Sequence, residues 1–217
     1  DASLFSAHND FAKSLMDDND NFANFLEKND KWKIFIEKLN TKLFAEDLIK
    51  LFNLKNVYFS KNNWKKNIPN FKKVKLSFCF NISEEGGYSL PHTDSTRKLV
   101  SMVLFFVDNA WSEKNGGQVK LYKPKNLINE DNWRNHRIDK ENLEVIKTIA
   151  ASPNKIYGFK KTKNSYHSVE PVRVIDRLCR KVLMINLGLL ILILPSIICI
   201  ESNCPTFFLI LYQISLI

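Results

Sequence analysis

The sequence predicts a mainly β protein with an N-terminal helical region, its strands forming an antiparallel sandwich or jelly roll. Three observations carry this. From Lys73 onward Val74, Leu76, Phe78 and Phe80 alternate with Lys75, Ser77, Cys79 and Asn81, the period of a half-buried strand. Glycine and asparagine turns separate short apolar runs after that point, which is how antiparallel sheets are punctuated. Before it, the apolar residues follow helical spacing instead.

That helical region covers residues 2–54. Phe22, Phe25, Leu26, Trp32, Phe35, Ile36 and Leu39 recur at intervals of three and four, so one side is apolar. Asp17-Asp18-Asn19-Asp20 supplies N-cap side chains for the second of its helices. Residues 53–69 are polar, basic and turn-rich, as a connector would be. After the first strand, Glu84-Glu85-Gly86-Gly87 turns the chain. Leu99 to Val107 is a second apolar strand, and Asn115-Gly116-Gly117 leads into Gln118 to Tyr122. Residues 124–148 read as an irregular excursion, while Asn154 to Phe159, Val169 to Val172 and Val182 to Asn186 have strand character. The expected division is therefore residues 1–72 as a helical region, 73–186 as the β domain, and 187–217 as an apolar tail.

The tail breaks with the rest of the sequence, because the last 36 residues of the chain, all those after Lys181, carry a single charge, Glu201. Each of its two apolar runs is shorter than the roughly 20 residues needed to cross a bilayer, and Pro195 interrupts the first. Read through from Val182 to Ile200, the stretch is long enough if the strand is given up. Three readings stand together: core-completing strands, a membrane anchor, or a segment not native to this protein.

Composition excludes several classes. The 217 residues are 45% hydrophobic, which suits one globular domain with a core rather than a disordered chain. The formal charge of +9 comes from lysines spread along the chain, so nucleic-acid binding is not expected. Cys79, Cys179, Cys199 and Cys204 form no CxxC pair, which argues against a zinc knuckle or disulfide scaffold and for a reducing, cytoplasmic setting.

The chemistry concentrates in Pro91-His92-Thr93-Asp94. In an extended segment side chains two apart share a face, so His92 and Asp94 can meet one metal ion. A third ligand has to come from a distant strand, and His136 and His167 are the later histidines. His136 lies in a charged, loop-like run, whereas His167 lies between strand-like segments and is preferred. Two imidazoles and one carboxylate leave half an octahedron free, which suits iron(II) that must also bind an oxoacid and dioxygen. A structural zinc site is normally closed by four ligands.

The run Gly87-Tyr88-Ser89-Leu90-Pro91-His92-Thr93-Asp94, then Asn115-Gly116-Gly117, then His167-Ser168-Val169-Glu170-Pro171-Val172 resembles the 2-oxoglutarate/iron(II)-dependent dioxygenase superfamily, in its prolyl 4-hydroxylase-like branch. The resemblance covers about residues 74–186. It implies a double-stranded β-helix, Fe(2+) held by His92, Asp94 and His167, and 2-oxoglutarate as cosubstrate, with ascorbate as an accessory. It also implies hydroxylation of a substrate, prolyl or other, with succinate and CO2 as co-products. The partners are then 2-oxoglutarate, dioxygen and an unidentified protein, peptide or small molecule. The family places a basic residue about ten positions past the distal histidine, at the start of the final strand, to hold the far carboxylate of the cosubstrate. Arg177 has the spacing; Arg180 directly precedes Val182 to Asn186, on the face of Val182 and Met184, and is preferred. An Arg fork suits a carboxylate because it gives two parallel hydrogen bonds. Tyr88 either lines the pocket or packs on the sheet, Asn186 either reaches the cosubstrate or ends its strand, and Lys98 and Ser101 read as structural or solvated. Two rivals remain, a catalytically inactive β-helix binding module and a protein anchored to a membrane by its tail.

Overall fold

The first elements already depart from the expected helix. In the structure, a computed structural model that describes residues 6–9, 12–60, 70–126, 138–173 and 178–190, strands β1 (Ser6–Asn9) and β2 (Ala12–Met16) precede any helix. β2 pairs with the long strand β4 (Lys72–Ser83), Leu15 opposite Phe80 and Met16 opposite Cys79. The helical reading over 2–54 is corrected here, because five residues whose backbone groups find partners on a neighbouring strand gain more than a short, weakly amphipathic helix would.

Three helices follow: α1 (Asp20–Glu27), α2 (Asp30–Leu39) and α3 (Lys42–Leu51). The cap of α1 is Asn19, whose Oδ1 accepts from the Asn21 amide at 2.8 Å. Asp17 does something else, accepting from the Phe78 amide at 2.8 Å and so tying the end of β2 to β4. Thr41 caps α3 through the Phe44 amide at 3.2 Å. The connector contains a strand the sequence did not suggest, β3 (Val57–Phe59), which pairs in parallel with the start of β4.

The remaining strands are β5 (Ser89–His92), β6 (Lys98–Phe105), β7 (Val119–Pro124), β8 (Leu143–Ile149), β9 (Ile156–Lys160), β10 (Tyr166–Val169) and β11 (Arg180–Leu189). β8 replaces part of the expected excursion over 124–148; its side chains are mostly exposed, so it lacks the apolar alternation that would betray a strand. His167 stands inside β10 rather than between strands, and Val172 lies outside any strand, in an isolated bridge with Gly116. β11 runs past Asn186 to Leu189. The readings placed on Arg177, His136 and residues 191–217 lie outside the described residues. Among the described residues no helix is long and apolar enough to cross a membrane.

The strands form two sheets facing each other, one in the order β1-β2-β4-β11-β6-β9 with β3 beside β4, the other β5-β10-β7-β8. The fold is a jelly roll with helices packed on the outside of the larger sheet. Alternation sorts the larger sheet's side chains between two cores. Phe78, Phe80, Leu183, Ile185 and Leu187 point to the helices and pack with Phe22, Ile36 and Leu48. Trp32 sits edge-on to both Phe80 and Phe106, with ring centroids 4.9 and 4.8 Å away. Val103, Phe105 and Val182 point the other way and pack between the sheets with Trp111, Val119 and Val172. Each fully buried aliphatic or aromatic side chain of this kind contributes on the order of 1.5–3 kcal/mol. A cavity lined by residues of both sheets lies between them, and the candidate site is there.

A candidate metal centre in the cavity between the sheets

β5 and β10 are antiparallel neighbours, and their register sets His92 directly opposite His167. Cross-strand partners have their Cβ atoms within about 5.5 Å, so two imidazoles at this position face one another; their ring centroids are 4.4 Å apart. Asp94 follows two residues after His92, and one ligand atom from each of the three side chains lies within 4.8 Å of the other two.

Each imidazole is held from behind. His92 Nδ1 lies 2.8 Å from the Leu90 carbonyl and 3.2 Å from Ser89 Oγ; His167 Nδ1 lies 3.1 Å from the Ser165 carbonyl. A carbonyl only accepts, so Nδ1 carries the proton in both rings and Nε2 keeps its lone pair for another partner. Phe159 packs against the His167 ring at 4.7 Å. Burial, and then the neighbouring His92, push the His167 pKa down to about 4, which keeps the ring neutral and able to ligate. Burial works on Asp94 in the opposite sense, toward protonation. The Lys98 charge, the His167 ring once it is protonated in acid, and the Ser101 hydroxyl outweigh it and bring Asp94 down to about 2. Lys98 Nζ is 3.1 Å from Asp94 Oδ1, and Ser101 Oγ donates to Oδ2 at 2.6 Å.

These groups line a cavity of about 480 Å³ that also takes in Tyr157, Arg180 and Asn186. Arg180 is 4% exposed, and its Nε donates to the Gly117 carbonyl at 3.0 Å while its guanidinium lies over the Phe105 ring at 5.2 Å. Burial lowers its pKa to about 10, so it stays charged at neutral pH. Among the described residues no carboxylate forms an ion pair with it. A buried cation of this kind is expensive unless an anion joins it. The donor set and the lone guanidinium together fit iron(II) and a dicarboxylate cosubstrate: two nitrogens and one oxygen on the metal side, a planar fork for a carboxylate on the other.

Of the residues singled out in the sequence, His92, Asp94, His167 and Arg180 meet in one cavity. Tyr88 stands on its rim, 40% exposed. Asn186 does not end its strand but lines the wall. Gly117 does more than turn the chain, since a Cβ there would come 2.7 Å from Arg180 Cδ. Sequence reasoning missed Tyr157 and Phe159, although two aromatics two apart in a strand share a face and could have been paired with the site. It also missed Lys98 and Ser101 as partners of Asp94.

A family model described as the 2OG-Fe(II) oxygenase superfamily matches residues 78–187, just over half of the chain. No curated protein matches the sequence. Among solved structures, the chain is similar to a Pseudomonas putida prolyl-4-hydroxylase at 12% identity, covering 82% of this chain and 70% of that one, with a TM-score of 0.40. A prolyl 4-hydroxylase from Phytophthora capsici is 13% identical over 81% of this chain and 47% of that one, at a TM-score of 0.46. A Trichoplax adhaerens prolyl hydroxylase, solved with a hypoxia inducible factor peptide fragment, is 14% identical over 54% and 46%, at 0.39. The chain spans about half the length of the latter two.

Proposed function

The chain belongs to the 2OG-Fe(II) oxygenase superfamily, and from that premise we propose that it is an iron(II)- and 2-oxoglutarate-dependent dioxygenase. In this reading His92, Asp94 and His167 hold the metal and Arg180 holds the far carboxylate of the cosubstrate. What supports it is the sharing of one cavity by a two-imidazole, one-carboxylate cluster and a buried arginine that has no carboxylate partner among the described residues.

When bound, iron(II) with 2-oxoglutarate and dioxygen supplies oxidative decarboxylation to succinate and CO2, coupled to hydroxylation of a C–H bond. The residues of the chain prepare the ground for that chemistry. The Leu90 and Ser165 carbonyls hold both imidazoles through Nδ1, so that Nε2 of each ring would be the nitrogen left to hold the ion. Asp94 arrives already ionised, its charge held by Lys98 and Ser101. The Gly117 carbonyl occupies Arg180 Nε and leaves the outer guanidinium nitrogens for the cosubstrate. Val103, Val182, Met184 and Phe159 make the wall between metal side and arginine side apolar, which keeps bulk water from the reacting centre.

The substrate is a molecule with an oxidisable C–H bond that enters past Tyr88. The branch that the sequence resembles makes a prolyl residue the first acceptor to offer. The test is succinate release from 2-oxoglutarate by the purified chain with iron(II), run with and without ascorbate. Wild type should produce succinate, His92→Ala should not, and Arg180→Gln should raise the 2-oxoglutarate KM by about a hundredfold, the worth of a charge-assisted pair of about 3 kcal/mol. Succinate from His92→Ala at the wild-type rate would remove the reading.

A further inference from the structure

Asp94 is held at both carboxylate oxygens by residues of one strand, and the way that strand achieves this is irregular. After Asp94 the chain reverses in a tight turn, the Lys98 amide donating to the Ser95 carbonyl at 3.1 Å and the Arg97 amide to Ser95 Oγ at 3.3 Å. β6 therefore starts beside the aspartate it has just left. Lys98 and Ser101 are three residues apart, and in a regular strand they would face opposite sides of the sheet. Here they face the same side. The register between β6 and β11 slips at this point: Gly188 pairs with Lys98 while Leu187 pairs with Val100, leaving Leu99 as an extra residue. Such a bulge shifts the phase of a strand and re-aims a side chain. Leu99 and Val100 consequently both join the core under the helices, and Lys98 and Ser101 both turn to the cavity.

The two contacts differ in kind. Ser101 is 5% exposed and its hydroxyl donates to Oδ2 at 2.6 Å, a short bond to a charged acceptor. Lys98 reaches Oδ1 at 3.1 Å with a side chain still 32% exposed. Ser101 is therefore the stiffer tether. Each oxygen keeps a second lone pair, so both contacts are compatible with ligation.

We propose that the bulge at Leu99 exists to bring Ser101, together with Lys98, onto Asp94, and that Ser101 is a positioning residue that orients the aspartate for the metal. The proposal rests on the reading of His92, Asp94 and His167 as a metal site. Outer-shell partners of ligating carboxylates change metal affinity by about 10–100-fold when removed, and that is the effect expected of this hydroxyl.

Anaerobic titration of the full chain with cobalt(II), a coloured probe for such sites, tests it without any turnover. Ser101→Ala should bind cobalt about 10–100-fold more weakly than wild type and shift its visible spectrum, while Ser101→Thr, which keeps the hydroxyl, should restore both. Asp94→Ala serves as the reference and should abolish binding. Ser101→Ala equal to wild type, with Asp94→Ala inactive in binding, would overturn the positioning role and leave the metal reading intact. Ser101→Thr as weak as Ser101→Ala would also overturn it, because the loss would then come from packing. Wild-type affinity in Asp94→Ala would remove the metal reading and this inference with it.

Discussion

A carboxylate as buried as Asp94 keeps its charge only because its neighbours outweigh the cost of leaving water, and His167 stays neutral because nothing nearby does so. Both facts bear on stability in acid when no metal is present. His167 titrates near pH 4 in the folded chain against an ordinary 6.5, so between those values the unfolded chain takes up the proton first and stability falls as pH falls. Asp94 titrates near 2 against 3.8, so its contribution of about 2 kcal/mol is present above pH 3.8 and lost between there and 2. Urea unfolding of the metal-free protein across this range should show both losses. His167→Gln should flatten the upper window and Asp94→Asn the lower; a His167→Gln profile parallel to wild type between pH 6.5 and 4 would contradict the assignment. At this scale the sequence was readable where a strand is regular. His92 and Asp94 obey the two-residue period, and Arg180 shares its face with Val182 and Met184. Lys98 and Ser101 were not readable, because the bulge that puts them in phase leaves no mark in a one-dimensional pattern.

Among the elements, β11 runs through the interior of the larger sheet, pairing with both β4 and β6 while its two faces serve two cores. Its first residue, Arg180, is seated by the turn at Gly116-Gly117, both of which have φ of +69°. That conformation favours glycine, and the space does too, since a Cβ on Gly117 would press on Arg180 Cδ at 2.7 Å. Gly117→Ala should therefore displace the guanidinium and raise the KM for 2-oxoglutarate by about tenfold or more, with a moderate loss of stability of about 1 kcal/mol. Steady-state succinate kinetics beside thermal unfolding would check both; an unchanged KM in a destabilised protein would show that the turn supports the fold but not the arginine. Strands with one or two buried apolar faces were legible, β4, β6 and β11 above all. β2, β3 and β8 were not, for they are short or exposed and owe their conformation to pairing with a neighbour rather than to their own pattern.

Across the whole molecule, the helices close one face of the larger sheet so that its other face is free to enclose a cavity with the smaller sheet. The jelly roll brings His92 and Asp94 together with His167 and Arg180, more than seventy residues further along the chain, in one space of about 480 Å³. Helical region, strand-rich domain and the order of the site motifs could be read from the sequence; the pairing of His92 with His167 required the sheets. The most direct measurement is a crystal structure of the chain grown anaerobically with iron(II) and 2-oxoglutarate. The expected result is one iron within about 2.0–2.2 Å of an imidazole nitrogen of His92, an imidazole nitrogen of His167 and a carboxylate oxygen of Asp94, with the far carboxylate of 2-oxoglutarate paired to Arg180. Iron bound elsewhere, or a cosubstrate carboxylate turned away from Arg180, would contradict it.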